Sequence, residues 1–267
     1  MAVLECKALT KNYGHVAALD GVELSAIAPE IIVTDITHNA PVREVRASDI
    51  AGRNGKLYTR TVTSSTGVTV SFEIHTQDVR RRALIMEDVQ RWAMPGGVLT
   101  TSDRPDRVLR VVCESLPTVG SAQKWTGVCS IGFVAYAVPF WEDETPRLVN
   151  ITGNGSKNLF VPGFAAPASV EAKVTNTGSG TISSVTLTAG DTSMTFAGVA
   201  LGAGQTMKLS HDARGLLTAR IGSASVLDKR TAASSDELEL DPGKNAALSV
   251  TTNGTASTTF EVRGRYA

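Results

Sequence analysis

The chain has 267 residues, more than one domain usually holds, and its 26 basic and 26 acidic side chains leave no net charge. Two compact units are therefore expected, and a long-range field able to grip nucleic acid or an anionic membrane over a broad face is excluded. No apolar run approaches the roughly 20 residues of a spanning helix, and the opening MAVLECKALTKNYGHV lacks the order of a secretion signal, so folding in the cytosol is expected. Cys6, Cys113 and Cys129 are odd in number and form no C-x-x-C pair, which predicts packed thiols rather than a disulfide framework or a zinc knuckle.

In chain order, VTVSFEI is the first clear element. It alternates strictly, with Val68, Val70, Phe72 and Ile74 on one face, and reads as a half-buried strand. A helix follows over residues 77–94. Its apolar seam is expected through Val79, Ala83, Met86, Val89 or Gln90, and Ala93, with Trp92 beside it. Thr76 is the expected N-cap, Asp78 suits the positive end of the helix dipole in the first turn, and Pro95, Gly96 and Gly97 supply the stop. Arg80, Arg81 and Arg82 read as a solvated basic face.

The bend SDRPDR and the β-rich run RVLRVVCESL come next. In the bend, Asp103 and Asp106 are placed to bond the backbone, Pro105 to fix its own φ, and Arg104 and Arg107 to clamp acidic groups. The run from Val128 to Trp141, which contains Phe133 and Tyr136, reads as apolar on both faces, hence covered twice, by its own core and by a further layer or subunit. Residues 1–146 thus form a β-barrel-like or sheet domain with one helix.

From Arg147 the composition changes to Thr, Ser, Gly and Ala, tryptophan disappears, and short strands recur between turn signals, so residues 147–267 are expected to be a β-sandwich. In the last strand Phe260, Val262, Gly264 and Tyr266 share one face, and Glu261, Arg263 and Arg265 the other. EVRGRYA is expected to close the sandwich.

No complete G-x-S-x-G, H-E-x-x-H, P-loop or G-x-G-x-x-G motif occurs. His15, His38, His75 and His211 lie far apart, and His211 with Asp212 falls in an expected turn, so no catalytic residue, metal ligand or cofactor site is assigned. The acidic runs WEDE (Trp141–Glu144) and DELELD (Asp236–Asp241) read as a polar strand end and a solvated strand face. Sugar binding is the second reading; it is weakened because the sandwich lacks tryptophan and its aromatics, Phe160, Phe164, Phe196, Phe260 and Tyr266, read mostly as core.

The succession AGRNGKLYTRTV, VTVSFEIHT, the helix ending in RWAMPGG, SDRPDRVLRVVCESL and GFVAYAVPFWED, followed by NITGNGSKNLFVPGF, AKVTNTGSG and LDPGKNAALSV, resembles the distal tail proteins of long-tailed bacteriophages with flexible tails. The resemblance covers both domains and implies a mainly β chain: a ring-forming domain over 1–146 and a galectin-like β-sandwich over 147–267. It further implies a homo-hexamer, as a single or double ring, in the virion tail and assembled in the host cytoplasm. The ring would be stacked between the tail tube protein and the tail-tip hub or tail-associated lysin, with receptor-binding proteins as further partners. DNA would pass through the channel in transit, with no membrane insertion, no cofactor and no reaction. Ring interface and brace residues are then expected at Trp92, Asp103, Arg104, Pro105, Asp106, Arg107, Phe133, Tyr136 and Trp141. The alternative is a carbohydrate-binding adhesion module.

Overall fold

A computed structural model describes residues 17–117 except 51 and 53, then 126–212 and 215–267. Cys6, His15 and the opening segment lie outside the described residues, as does the side chain of Val128. The described chain is mainly β with one α-helix, and it divides into two compact units. The first comprises the described residues up to Pro105 with those of Arg110–Tyr136; the second comprises Asp106–Leu109 with Ala137–Ala267.

In the first unit, β1 (Ala17–Leu19) and β2 (Val22–Glu23) are joined by the two-residue turn Asp20–Gly21, where both residues have positive φ, the backbone demanded by a tight hairpin. Strands β3 (Ile31–His38), β4 (Val42–Asp49) and β5 (Lys56–His75) follow, then α1 (Val79–Ala93), β6 (Gly97–Thr101), β7 (Arg104–Ser115) and β8 (Thr126–Ala135). The C-terminal half of β5 runs antiparallel between β3 and β8, and β8 continues to the end of β7 through Val112 and Cys113. Val68, Val70, Phe72 and Ile74 are fully buried, as the alternation predicts. Burial contributes roughly 1.5–3 kcal/mol for each such side chain.

Helix α1 is present, but its cap and seam differ from the sequence reading. Asp78 is the N-cap, accepting from the Arg80 and Arg81 amides at 2.8 and 3.2 Å, while Thr76 Oγ1 accepts from the Asp78 amide. The buried positions are Arg82, Ile85, Met86, Val89 and Ala93, whereas Val79 is 73% exposed. Arg82 is not solvated: its guanidinium donates to the Thr76 carbonyl at 2.8 Å, which lets a cation enter the seam and tie the helix start to its entry loop. At the other end Gly96 has φ +67, and a Cβ there would lie 2.5 Å from the Val111 carbonyl oxygen, so only glycine turns the chain so close to β7.

Strand β8 is buried alternately rather than on both faces. Cys129, Ile131 and Phe133 are interior, Ser130 is exposed, and only Phe133, Val134 and Ala135 are buried in succession before Tyr136 and Ala137 return to solvent. Gly132 sits against Ser115, so the second face there is small and polar instead of apolar.

The second unit contains β9 (Trp141–Asp143), β10 (Arg147–Thr152), β11 (Gly155–Phe160), β12 (Ala166–Asn176), β13 (Ile182–Ala189), β14 (Thr192–Leu201), β15 (Thr206–His211), β16 (Leu217–Ile221), β17 (Ala224–Ser225), β18 (Glu239–Leu240), β19 (Asn245–Thr252) and β20 (Ala256–Tyr266). One sheet runs β17–β16–β15–β12–β20, with β10 and β9 end to end along the far edge of β20; the other runs β11–β19–β13–β14. Val170, Val174, Leu209, Phe260 and Val262 from the first sheet join Val185, Leu187, Phe196, Leu248 and Val250 from the second in one core. EVRGRYA closes this unit, since β20 pairs with β12 along nearly its whole length. Phe160 and Phe164 are 53% and 71% exposed, against the expectation that they are core: Phe160 ends an edge strand, and Phe164 packs edge-on against Tyr266 at 5.7 Å.

Replacing Asp78 by alanine is expected to lower the stability of the first unit by about 1 kcal/mol, read as a shift in urea midpoint, whereas Val79→Ala is expected to leave the midpoint unchanged.

Candidate assembly surfaces

Strand β5 is 20 residues long, and its first half, Lys56–Ser65, pairs only with β4. The outer part of the resulting two-stranded ribbon is open to solvent: every residue of β4 and Lys56–Arg60 of β5 are exposed, with Val42, Val45, Leu57 and Tyr58 each more than half exposed, while Thr61–Ser65 are half-buried. Residues 42–65 carry five basic and two acidic side chains. An isolated hairpin is marginal in water, and its unpaired edges are ready to accept another strand.

The segment 17–41 has the opposite character. It carries Asp20, Glu23, Glu30 and Asp35 and no lysine or arginine. Its strand β3 has a ladder partner on one side only among the described residues, and Val22 and Ile32 are exposed there. Arg81 of α1 pairs with Glu30, which leaves Asp20, Glu23 and Asp35 as the acidic groups of this segment; one unit therefore bears a basic ribbon and a weakly acidic edge, each with exposed apolar side chains.

The sequence-selected residues separate into distinct places. Trp92 donates its indole N–H to the Val22 carbonyl at 3.1 Å and meets Phe133 edge-on at 6.0 Å, so these two lock α1 to β8 inside the first unit. Phe133 is wholly buried; Tyr136 is exposed and donates to Glu114. Asp103 does not serve the bend's own backbone alone. Its carboxylate accepts from His38; burial pushes its pKa up, but hydrogen bonds from Thr101 and His38 outweigh that and hold it below the usual range. Arg104 is half-buried and Pro105 exposed.

Arg107 and Trp141 belong to the second unit, where two motifs noted separately in the sequence meet. Strand β7 pairs with β9 at Arg107 and Val108, and the Arg107 guanidinium clamps the Asp143 carboxylate of WEDE while also contacting Asp106 at 3.2 Å. Asp143 further accepts from the Gly264 amide at 2.8 Å and the Tyr266 hydroxyl at 3.2 Å, and the Arg107 guanidinium lies 3.7 Å from the centre of the Tyr266 ring. A Cβ at Gly264 would come within 2.9 Å of both Asp143 Oδ2 and the Pro162 carbonyl carbon. Trp141 is 1% exposed beside this clamp. Within WEDE, Trp141 and Glu142 are thus buried and Asp143 is paired, while Glu144 stays exposed as a polar end.

A second ionic group lies in the same unit. His211 is the last residue of β15, not part of a turn. Its Nδ1 and Nε2 each lie 3.5 Å from a carboxylate, Glu171 and Glu237 respectively. Glu171 first and then Glu237 push its pKa up to about 9 against the effect of burial. Arg265, expected on the water side, is buried: it donates to Glu239 at 3.0 Å and to the Pro167 carbonyl at 3.1 Å, and its Nε lies 3.7 Å from Glu142. Glu237, Glu239 and Asp241 do alternate with buried Leu238 and Leu240, but they are paired with His211, Arg265 and Lys244 rather than merely solvated. No group of three or more His, Cys, Asp or Glu among the described residues is arranged to hold a metal ion.

Comparison of the architecture with solved structures is decisive for the fold. The crystal structure of the phage SPP1 Dit protein superposes with a TM-score of 0.67 at 13% identity, covering 93% of this chain and 98% of that one. The chain has the fold of SPP1 Dit. That protein is described as a paradigm of the hub adsorption apparatus in phages that infect Gram-positive bacteria. A chain of the phage P2 baseplate in its calcium-activated conformation matches with a TM-score of 0.55 at 9% identity, over 94% of this chain and 98% of that one. The strontium form of that baseplate gives 0.55 at 8% identity, over 93% and 97%. No protein-family model and no curated protein matches the sequence.

The His211 group gives a pH dependence with a defined sign. Its folded pKa of about 9 lies above the ordinary 6.5, so the stability it contributes is fully present below 6.5 and is lost as pH rises through 9. Thermal unfolding of the second unit is expected at a lower temperature at pH 10 than at pH 6, and His211→Gln is expected to flatten that difference.

Proposed function

We propose that the chain is a structural protein of a bacteriophage tail tip, assembled as a hexameric ring, single or double, that joins the tail tube to the hub and its adhesion device and leaves a central channel for DNA. The observation that carries this reading is the correspondence in fold, over nearly the whole of both chains, with a hub adsorption protein. The baseplate matches point the same way. No reaction is assigned to the chain, and the virion tail is its proposed location.

A ring needs two different surfaces that meet around a rotation axis. The basic ribbon β4–β5 and the acidic edge of β3 supply such a pair: in this reading the ribbon of one copy lies against β3 of the next, completing ladders left open in each. Zero net charge suits a channel that DNA must traverse without being held. Trp92, Asp103, Arg104, Pro105, Asp106, Arg107, Phe133 and Trp141 act in this proposal as a brace that fixes the angles on which closure depends, and Tyr136 lies on an exposed contact surface. The tube protein, the hub or lysin, and receptor-binding proteins are the proposed neighbours.

Light scattering on the purified chain is expected to give six or twelve times the mass of one copy, and a monomer at all concentrations overturns the proposal. Replacing Arg43 and Arg46 together by glutamate is expected to abolish the ring, and adding Glu23→Lys and Asp35→Lys to restore it. Asp103→Ala with Asp106→Ala is expected to reduce ring yield while circular dichroism of the folded chain stays unchanged.

A further inference from the structure

The second unit contains a cavity of about 260 Å³ that the tail-ring reading does not use. Pro139 and Phe140 line one side; His211, Glu237, Glu239 and Arg265 line another. The His211 and Arg265 side chains are each only 11% exposed. Both leave a ring or guanidinium nitrogen without a hydrogen-bond partner among the described residues: Nε2 of His211, 3.5 Å from Glu237, and Nε of Arg265, 3.7 Å from Glu142. Each nitrogen has a carboxylate nearby but not in hydrogen-bonding geometry, and an oxygen-bearing occupant of the cavity supplies the missing acceptor.

The character of the walls selects that occupant. Two donors from His211 and Arg265 alternate with two acceptors, the Glu237 and Glu239 carboxylates, so a purely anionic or purely cationic guest meets like charge on part of the wall. Hydroxyl groups, which donate and accept at once, meet both. The Pro139 and Phe140 side is apolar and suits the C–H face of a ring whose edge carries those hydroxyls. The volume lies just below the roughly 300–1,000 Å³ of pockets for drug-sized ligands, which limits the guest to a single ring.

We propose that this cavity is a binding site for one terminal ring of a neutral glycan, with Glu237 and Glu239 accepting from its hydroxyls, His211 and Arg265 donating to its oxygens, and Phe140 covering its apolar face. The site belongs to the second unit alone and does not depend on ring assembly.

Saturation-transfer difference NMR on the full chain, with glucose, galactose, N-acetylglucosamine and their methyl glycosides at up to about 50 mM, tests this. At least one sugar is expected to receive saturation, most strongly at the C–H protons of one face, and its methyl glycoside, which mimics a chain end, is expected to bind as well as the free sugar. Glu237→Gln and Phe140→Ala are each expected to weaken binding about tenfold; Val138→Phe, which fills the cavity from its apolar side, is expected to abolish it in a chain whose thermal unfolding and ring mass are unchanged. Absence of transfer to every sugar, which leaves water as the occupant, overturns the proposal. So do binding that survives Val138→Phe, or preference for an anionic probe such as sulfate. Light scattering on the same samples reports ring formation separately, so loss of sugar binding leaves the tail-ring reading intact.

Discussion

Strand β5 outruns the sheet that covers it, and the architecture of the first unit follows from how its two halves are paired. From Val68 to Ile74 it has a strand on each side and places Val68, Val70, Phe72 and Ile74 in a core; from Lys56 to Ser65 it has one partner, and its first five residues are exposed. The projecting half keeps its hydrogen bonds on one edge only and exposes Val45, Leu57 and Tyr58. An isolated two-stranded ribbon is marginal in water, and its exposed edge is open to a further strand.

The second unit solves a different problem, the placement of charge inside a sandwich. Asp143 and Glu142 enter the interior at β9, where a lone carboxylate is strongly disfavoured. Arg107, the Gly264 amide and the Tyr266 hydroxyl satisfy the first; Arg265 and Ser169 approach the second. The Arg107 clamp gives the charged run SDRPDR its role: only Ser102 and Asp103 form the turn, and Arg107, already in β7, meets Asp143 of β9 within the second unit. Such pairing favours one register over its neighbours, because a one-residue slip at β9 would bury a carboxylate with no cation opposite it.

Much of the fold was legible in local patterns. The alternation of VTVSFEI placed four core residues correctly, Pro95 to Gly97 marked the end of the helix, and the turn-punctuated strands after Arg147 announced a sandwich whose last strand closes it. The failures share a cause. Arg82, Arg265 and Glu142 were assigned to water by residue type, yet each is buried, because a partner distant in sequence or a backbone carbonyl offsets the desolvation. The sandwich aromatics read mostly as core by the same rule, yet Phe160 and Phe164 are exposed, Phe160 because it ends an edge strand.

Periodicity, turn residues and the balance of charge thus determined by themselves that this is a mainly β chain with one helix and a sandwich, since these depend on neighbours two to four residues apart. Only the tertiary structure decided that Arg107 meets Asp143, that His211 lies between Glu171 and Glu237, that a ribbon projects from β5 and that a polar cavity adjoins Phe140. Those features join residues from separate strands through charge pairing and burial, whose energies depend on distance in space and leave no trace in the spacing of residues along the chain.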